Sequence, residues 1–269
     1  MSCEISPLQV QAAARGFLKK EYPAESFTRG ESVEVVLWGE VEFGLQNLRS
    51  RLCLANPSLK GAARDEVMRS HFRAMMALIK ERNSGFPQDW EKARAIVALQ
   101  FMPSDYLRPL KGETALVTRP FISGVVLAVV LLQKDGYGYV RAGDRAKWKV
   151  EDKTLFDTAL RNLDLKNTNA KLQGGSDPSR FLAFEEKDGF DAVRLLVPWV
   201  REEAVKYLGN PFLAVIPNRD FLVMWSVKNS PDFQTFARDR ARDDFKSQPY
   251  PLTPRPVKVW ADGRVELVP

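Results

Sequence analysis

Cysteine and histidine are scarce in this sequence, and their scarcity excludes several classes of protein. The 269 residues include two cysteines, Cys3 and Cys53, and one histidine, His71. Neither a Cys/His zinc set nor a two-histidine metalloprotease helix can be built, and any histidine-based triad would have to use His71. Secreted disulfide scaffolds carry more cysteines, so we expect a reducing compartment, with Cys53 packed as a small core residue and His71 as a half-buried structural histidine.

Strong charge and long apolar runs are also absent. The 40 Lys and Arg residues against 34 Asp and Glu leave a net charge of +6, a milder field than that of dedicated nucleic-acid binders. The longest apolar run, Phe121–Leu132, is shorter than the roughly 18 to 20 residues that cross a bilayer. The first twenty residues lack the pattern of a secretory signal. These features predict no membrane span and a cytoplasmic location.

The first part of the chain, residues 1–110, is predicted to form a helix-rich lobe with a short hairpin. Pro7 and Pro23 bracket a predicted helix over Leu8–Tyr22. Apolar residues recur at steps of three and four across Lys60–Arg82, which indicates an amphipathic helix. Prolines between residues 103 and 120 then interrupt the pattern, so we place the lobe boundary there.

The second part, residues 111–269, is predicted to be a sheet covered by helices. The valine-rich Val125–Leu132 segment is typical of a strand buried on both faces near the centre of a sheet. A helix over Asp232–Lys246 would turn Phe233, Phe236, Ala237, Ala241 and Phe245 inward. Three hairpins are predicted, namely 125–132 with 139–142, 212–216 with 221–227, and 257–260 with 265–268. Hairpins separated by helices indicate an α+β fold with a mixed or antiparallel sheet in the C-terminal lobe.

Several segments resemble a known family. ALRNL at Ala159–Leu163, DGFDAVRLL at Asp188–Leu196 and AVIPNRDFLV at Ala214–Val223 are similar, in order and spacing, to the YtpQ-like family of bacterial proteins, which share a domain of unknown function. A looser match is VEFGLQNL at Val41–Leu48, and the resemblance is specific mainly over residues 115–269. It implies an intracellular bacterial α+β protein and brings no activity, substrate or cofactor with it.

Polar residues within these matching segments are the main candidates for a binding site. Asp188 and Asp191 flank Gly189, and the favoured interpretation is that Asp191 caps the helix containing Arg194. Asn218, Arg219 and Asp220 are typical of a hairpin turn whose side chains fold back on their own backbone. The alternative is a polar pocket for a ligand or partner, formed where both turns and Asn162 meet at one end of the sheet. Its candidate residues are Asn162, Asp188, Asp191, Arg194, Asn218 and Asp220.

A basic segment around Trp148 offers a second candidate surface. Arg141, Arg145, Lys147 and Lys149 surround this tryptophan, and cations beside an aromatic ring can bind phosphate and stack a base. The favoured interpretation is a solvated segment whose tryptophan packs inward, since tryptophan is usually largely buried.

No catalytic constellation, metal-ligand set or cofactor motif stands out, so we assign no catalytic residue, metal or cofactor. The leading hypothesis is a non-enzymatic interaction or adaptor protein that binds a protein partner through surface aromatics such as Trp38, Trp90, Trp148 and Trp199. One alternative is a metal-dependent enzyme that uses Asp188, Asp191 and Asp220. Another is weak nucleic-acid binding through the Trp148 segment or through the Arg69, Arg73 and Lys80 face. The oligomeric state cannot be predicted from the sequence.

Overall fold

A computed structural model describes residues 5–39, 41–55, 61–107, 111–133, 136–166, 173–175 and 179–268. The chain divides into two compact units. The first combines Met1–Ala77 with Lys246–Tyr250, and the second combines Leu78–Phe245 with Pro251–Pro269. The boundary predicted at residue 110 lies inside the second unit, because strand Val97–Pro103 pairs along its length with strand Val125–Gln133.

The first unit contains helices and a small antiparallel sheet. Ser6 caps the opening helix, because its side chain accepts a hydrogen bond from Gln9 N at 3.2 Å while Gln9 Oε1 accepts one from Ser6 N at 2.8 Å. The strands are β1 (Phe27–Arg29), β2 (Val35–Trp38) and β3 (Val41–Gly44), in the order β1-β2-β3. The helices are α1 (Pro7–Glu21), α2 (Gln46–Ala55) and α3 (Gly61–Gly85), the last of which continues into the second unit.

Aromatic rings form the centre of the first unit. The Phe72 ring lies 6.1 Å from that of Phe17 and 6.0 Å from that of Phe43, measured between ring centroids. His71 is 5% exposed and its Nε2 atom has no hydrogen-bond partner among the described residues. Burial, reinforced by the nearby positive charge of Arg51, lowers the pKa of His71 to about 4. His71 is therefore a buried, neutral core residue rather than a half-buried one.

The state of Cys53 differs from the prediction. Cys53 is half-buried and disulfide-bonded, so it is not a reduced thiol packed in the core. The sequence's other cysteine, Cys3, lies outside the described residues. Disulfides are rare in reducing compartments, so this bond weighs against the compartment predicted from the cysteine count.

The described residues of the second unit form two antiparallel sheets. In the first, β4 (Val97–Pro103), β6 (Val125–Gln133) and β5 (Thr118–Ile122) follow one another, and β7 (Gly136–Tyr139) also pairs with β6. Because β6 pairs with three other strands, the prediction that its valine-rich segment lies near the centre of a sheet is confirmed. The second sheet has the order β13-β12-β10-β11-β9-β8. Its strands are β8 (Gln173–Gly175), β9 (Phe181–Phe184), β10 (Phe212–Val215), β11 (Leu222–Ser226), β12 (Val257–Val259) and β13 (Val265–Leu267).

Helices pack around these sheets. They are α4 (Trp90–Ala93), α5 (Ala142–Trp148), α6 (Asp152–Lys166), α7 (Pro198–Leu208) and α8 (Pro231–Ser247), with short 3-10 helices at Ser104–Leu107, Gly112–Thr114 and Ala192–Leu196. One apolar core combines Val129 and Ala214, from the two sheets, with Leu163 of α6. Phe236 was predicted to face this interior but is 67% exposed, because Ala237 and Ala241 occupy the inward stripe of α8.

The fold class is α+β, as predicted. Every strand pairing recorded within the described ranges is antiparallel. The pairings β10 with β11 and β12 with β13 confirm two of the predicted hairpins. The third hairpin is also present, but its returning strand, β7, begins three residues earlier than the predicted 139–142. Within the described chain, no helix combines the length and the apolarity needed to cross a membrane.

Candidate functional site

The two polar turns of the sequence, at residues 188–191 and 218–220, are neighbours in the second unit. Gly189 has a φ of +87°, a conformation that glycine adopts without strain. Phe190 N donates to Asp188 Oδ1 at 2.9 Å, which tightens the first turn before the 3-10 helix begins. Ala192 N then donates to Arg219 O of the second turn at 3.1 Å. Backbone hydrogen bonding therefore holds the turns side by side.

Arg194 binds both carboxylates of the first turn. The side chains of Arg194 and Asp191 are 3% and 0% exposed, and Arg194 Nη1 donates to Asp191 Oδ1. Arg194 Nη2 lies 2.8 Å from Asp188 Oδ2, and Lys187 N donates to Asp191 Oδ2 at 2.8 Å. The Arg194 guanidinium carbon also lies 5.4 Å from the centre of the Phe184 ring. Both oxygens of the buried Asp191 carboxylate therefore have donors.

These contacts replace the capping role predicted for Asp191. Asp191 does precede the 3-10 helix, but its side chain makes no capping hydrogen bond. One helical turn instead brings Arg194, three residues later, onto the same side as Asp191, because a 3-10 helix has about three residues per turn. The side chain of Asp191 therefore anchors the turn through an ion pair.

The metal-enzyme alternative finds no support in this arrangement. Arg194 already provides Asp188 and Asp191 with a positive charge and hydrogen-bond donors. Asp220 belongs to the neighbouring turn, where its Oδ2 atom lies 3.5 Å from Arg219 Nε. Throughout the part of the chain that the structure describes, no three His, Cys, Asp or Glu side chains gather as metal ligands.

Burial dominates the protonation of Asp191. Loss of solvent raises the pKa of Asp191 to about 6, although hydrogen bonding from Lys187 N and the charge of Arg194 oppose the increase. A buried carboxylate that ionises at this cost is poorly suited to binding and releasing a ligand from solvent. We therefore interpret the pair of Arg194 and Asp191 as structural.

The second turn, Asn218–Asp220, folds back on its own backbone, as the favoured interpretation predicted. Asp220 N donates to Asn218 Oδ1 at 2.9 Å, which is the hydrogen bond of an Asx turn. Arg219 Nη1 donates to the Tyr137 hydroxyl at 3.0 Å. Asn218 itself is buried, so its side chain mainly shapes the turn.

Asn162 has other partners. Its Nδ2 atom donates to the carbonyl oxygens of Arg94 and Val97, both at 2.8 Å. The amide thus ties α6 to the segment that leads into β4. The structure assigns Asn162 to this connection rather than to the two polar turns, which differs from the predicted three-part pocket.

Trp148 packs inward. Its indole is buried, Nε1 donates to Pro87 O at 2.7 Å, and the ring lies 6.1 Å from that of Trp90. The favoured interpretation of this residue is confirmed. Because a base cannot stack on a buried indole, the nucleic-acid alternative loses its aromatic surface in this segment.

The four cations around Trp148 are arranged along and just beyond α5. Arg145 pairs with Asp152, and Arg141 N donates to Asp144 Oδ2 at 2.9 Å. Lys149 ends the helix with a φ of +51°, whereas Lys147 is exposed. Within this segment Arg145 is therefore paired with a carboxylate, and Lys147 and Lys149 are exposed on either side of the buried Trp148.

A different site emerges at the end of α7, where the chain forms a pocket of about 450 Å³. Its size lies within the usual range for ligand sites, about 300–1,000 Å³. No Asp or Glu lines this pocket within the described chain. The lining residues are Arg180, Lys206, Tyr207, Leu208, Gly209, Asn210, Pro211, Ser226, Val227, Lys228 and Asn229.

Hydrogen bonds fix the walls of this pocket, which we call the cationic pocket. Asn229 Nδ2 donates to Arg180 O at 2.9 Å and so ties the loop after β11 to the start of β9. Gln234 Nε2, from α8, donates to Asn229 O at 3.0 Å. On the opposite wall, Asn210 Oδ1 accepts a hydrogen bond from Ala261 N at 3.0 Å. The pocket therefore has a defined shape.

Arg180 is positioned by an aromatic neighbour. Its guanidinium carbon lies 5.6 Å from the centre of the Tyr207 ring, and Nη1 lies 3.5 Å from Tyr207 O. The Tyr207 hydroxyl donates to Gly175 O at 2.6 Å, which holds the ring in place. A stacked arginine loses less conformational freedom on binding an anion than a free one would.

No pattern in the sequence predicts the cationic pocket. Its cations, Arg180, Lys206 and Lys228, come from three separate segments and form no motif. Only the folding of β9, α7 and the loop before α8 brings them together. Their residue types are ordinary for exposed positions, so no signal in the sequence distinguishes them.

Comparisons with known proteins add no relative: no family model matches the chain, and no curated protein or solved structure is significantly similar to it. The resemblance to YtpQ-like proteins therefore stays a prediction.

Proposed function

We propose that this protein is a non-enzymatic interaction protein and that its second unit binds an acidic segment of a protein partner in the cationic pocket. The observation that supports the proposal is the composition of the described lining, which includes Arg180, Lys206 and Lys228 and, among the residues that the structure describes, no Asp or Glu. A pocket of one charge sign selects ligands of the opposite sign and speeds their encounter.

The cationic pocket takes over the role that the sequence assigned to surface tryptophans. Trp148 is buried, and Trp38, Trp90 and Trp199 are half-buried. Half-buried indoles contribute to packing and leave little apolar area for a partner. Charge and hydrogen bonding therefore support the interaction better than aromatic contacts do.

Binding of a fluorescent hexaglutamate peptide tests the proposal. We expect saturable binding that weakens steeply with salt, because the pairing is electrostatic. The variant Lys206→Glu/Lys228→Glu should lose it. The matched control Lys19→Glu/Lys147→Glu makes the same change in net charge at two exposed sites outside the pocket and should bind like the parent protein.

Two outcomes would count against the proposal. Equal loss of binding in the pocket and control variants would mean that net charge, rather than the pocket, attracts the peptide. Absence of saturable binding by the parent protein at low salt would remove the proposal altogether.

Membership of the YtpQ-like family, a bacterial origin and a cytoplasmic location belong to the same proposal. The family resemblance includes residues 214–223, which contribute to the β10–β11 hairpin and the Asn218–Asp220 turn. The disulfide of Cys53 is an argument against the cytoplasmic location, because disulfides are rare in reducing compartments.

A further inference from the structure

We infer that the first unit has a docking site of its own, at which three aromatic rings and a carboxylate bind an arginine side chain of a protein partner. The rings belong to Tyr22, Phe27 and Trp38, which we call the aromatic strip. This inference goes beyond the proposed function, because it concerns a ligand of the opposite charge and residues outside the cationic pocket.

The three rings of the aromatic strip adjoin one another. Tyr22 directly follows α1, Phe27 begins β1 and Trp38 ends β2. Phe27 pairs with Trp38 across the strands, so both side chains project from the same face of the sheet. The Phe27 ring centroid lies 6.3 Å from that of Tyr22 and 6.3 Å from that of Trp38. A lone half-buried indole offers a partner little apolar area, but three half-buried rings in contact offer a continuous strip.

Buried rings hold the aromatic strip in place. The Trp38 ring lies 6.3 Å from that of Phe43, whose side chain is 0% exposed. Phe43 in turn contacts Phe72 in the centre of the first unit. Rings that are fixed in this way lose little further conformational freedom when a ligand binds, which favours affinity.

A carboxylate lies at the edge of the aromatic strip. Trp38 Nε1 donates to Glu25 Oε2 at 2.7 Å, and Glu25 is exposed. This hydrogen bond leaves the second carboxylate oxygen available, because an ionised carboxylate has about four acceptor sites. Among the described residues no Lys or Arg pairs with Glu25. A cation that lies on the rings can therefore also bind this carboxylate.

The segment that carries the aromatic strip is acidic, unlike the chain as a whole. Residues 21–42 contain six Glu and one Arg, whereas the whole chain has a net charge of +6. Glu21 is paired with Arg69 at 3.2 Å. Glu25 and Glu31 are both exposed and have no ion pair in the described part of the chain. This local excess of negative charge attracts a cationic partner and repels an acidic one.

The arrangement of the rings favours arginine over other cations. The Phe27 and Trp38 rings are inclined by 30°, so a flat group that stacks on one ring is nearly parallel to the other. Rings with centroids 6.3 Å apart are in contact, so no ammonium group can enter between them as it would in an aromatic cage. A guanidinium is planar, stacks on aromatic faces and donates two hydrogen bonds to a carboxylate, whereas a lysine ammonium is compact and strongly hydrated. Arginine can therefore use the rings and Glu25 together.

Peptide libraries with one fixed central residue test the inference. The flanking positions are randomised without Lys or Arg, and the central residue is arginine, lysine, trimethyllysine or citrulline, the neutral isostere of arginine. Fluorescence polarisation at low salt measures the affinity of each library. The arginine library should bind at least about tenfold more tightly than the citrulline library, because citrulline has no charge to pair with Glu25. It should bind at least about threefold more tightly than the lysine library, which lacks the planar pair of donors.

Variants of the first unit locate the binding. Glu25→Gln keeps an acceptor for Trp38 Nε1 but removes the charge, so affinity for the arginine library should fall about tenfold. The matched control Glu151→Gln makes the same change at an exposed position of the second unit and should leave affinity within twofold. Tyr22→Leu removes one ring and keeps apolar bulk, which should cost about threefold in affinity. Circular dichroism of each variant checks that the fold is retained.

Two-dimensional NMR provides a readout at the site itself. The indole N–H signal of Trp38 is assigned by its absence from the spectrum of Trp38→Phe. This signal should shift when an arginine peptide selected from the library is added, and it should stay in place when the matching citrulline peptide is added.

Several results would overturn the inference. Equal loss of binding in Glu25→Gln and Glu151→Gln would mean that net charge, rather than the aromatic strip, attracts the peptides. Equal or tighter binding of the lysine or trimethyllysine library would exclude the stacked guanidinium. Free arginine competing as well as the arginine peptides would overturn the assignment to a protein partner. Absence of saturable binding by the arginine library would remove the inference altogether, and binding of hexaglutamate would still test the proposed function independently.

Discussion

Replacing Arg194 by methionine should destabilise the second unit by about 3–5 kcal/mol at pH 8, the usual cost of removing one partner from a buried ion pair. The structure supports this range because Asp191 is 0% exposed and would keep only backbone hydrogen bonds, from Lys187 N and from Glu186. Asp188 is partly exposed, so water can solvate its carboxylate once the Arg194 guanidinium is removed.

The loss should also depend on pH. Without Arg194, the pKa of Asp191 should rise from about 6 toward the value of about 8–9 known for unpaired buried carboxyls. A raised carboxyl pKa contributes stability that is present at low pH and is lost as the pH rises through the folded-state value. At pH 6 the buried Asp191 is protonated to a greater extent in the variant than in the parent, which removes most of the variant's uncompensated charge. The difference in unfolding free energy between parent and variant should therefore be about 2 kcal/mol smaller at pH 6 than at pH 8.

Urea denaturation monitored by tryptophan fluorescence measures the loss of stability, and a suitable background variant restricts the signal to the second compact unit of the chain. Of the six tryptophans, only Trp38 belongs to the first unit, so a Trp38→Phe background restricts the signal to the second. Arg161→Met, an exposed position on α6, is the matched control and should change the unfolding free energy by less than about 0.5 kcal/mol. Arg194→Met/Asp191→Leu should recover part of the loss, because no uncompensated charge stays buried. A loss below about 1 kcal/mol for Arg194→Met at pH 8 would refute the structural role of this pair.

Three further predictions concern other parts of the chain. Because the pKa of His71 is lowered to about 4 in the folded protein, acidification protonates this histidine in the unfolded state first. The unmutated protein should therefore lose about 2.5 kcal/mol of unfolding free energy through His71 between pH 7 and 4.5. His71→Gln should flatten that part of the urea-midpoint profile, and parallel profiles would contradict the assignment. Asn162→Ala should cost about 1–3 kcal/mol in urea unfolding, since two carbonyls lose their donor, and leave hexaglutamate binding unchanged. Altered binding would instead place Asn162 in the site. Finally, Cys53 should resist alkylation in denatured protein until a reductant is added, as peptide mapping can check; labelling without reductant would contradict the disulfide.

Local patterns in the sequence were sufficient to predict the hairpins. The apolar run of β6 and the polar turn between β10 and β11 identify strands and their connection directly. They reveal nothing about partners distant in sequence. β4 pairs with β6 across the proline-rich segment that was interpreted as a boundary, because prolines mark irregular backbone and not the end of a folded unit.

The roles of individual side chains were harder to predict, for two physical reasons. Asp191 precedes a helical segment as a capping residue would, yet the 3-10 geometry places Arg194 against it and an ion pair results. Phe236 matches an apolar spacing on α8, but the inward stripe there is narrow and small, with Ala237 and Ala241 at its centre. Periodicity identifies a face of a helix, whereas packing decides which residues of that face are covered.

Chemical-shift mapping provides the most direct test of the cationic pocket. Isotope-labelled protein would be titrated with the hexaglutamate peptide, and the backbone amides followed by two-dimensional NMR. We predict that the largest shifts occur at Lys206, Gly209, Asn210, Lys228 and Asn229, which line the pocket. Shifts concentrated instead on the segment around Trp148, or on the two polar turns, would contradict the account.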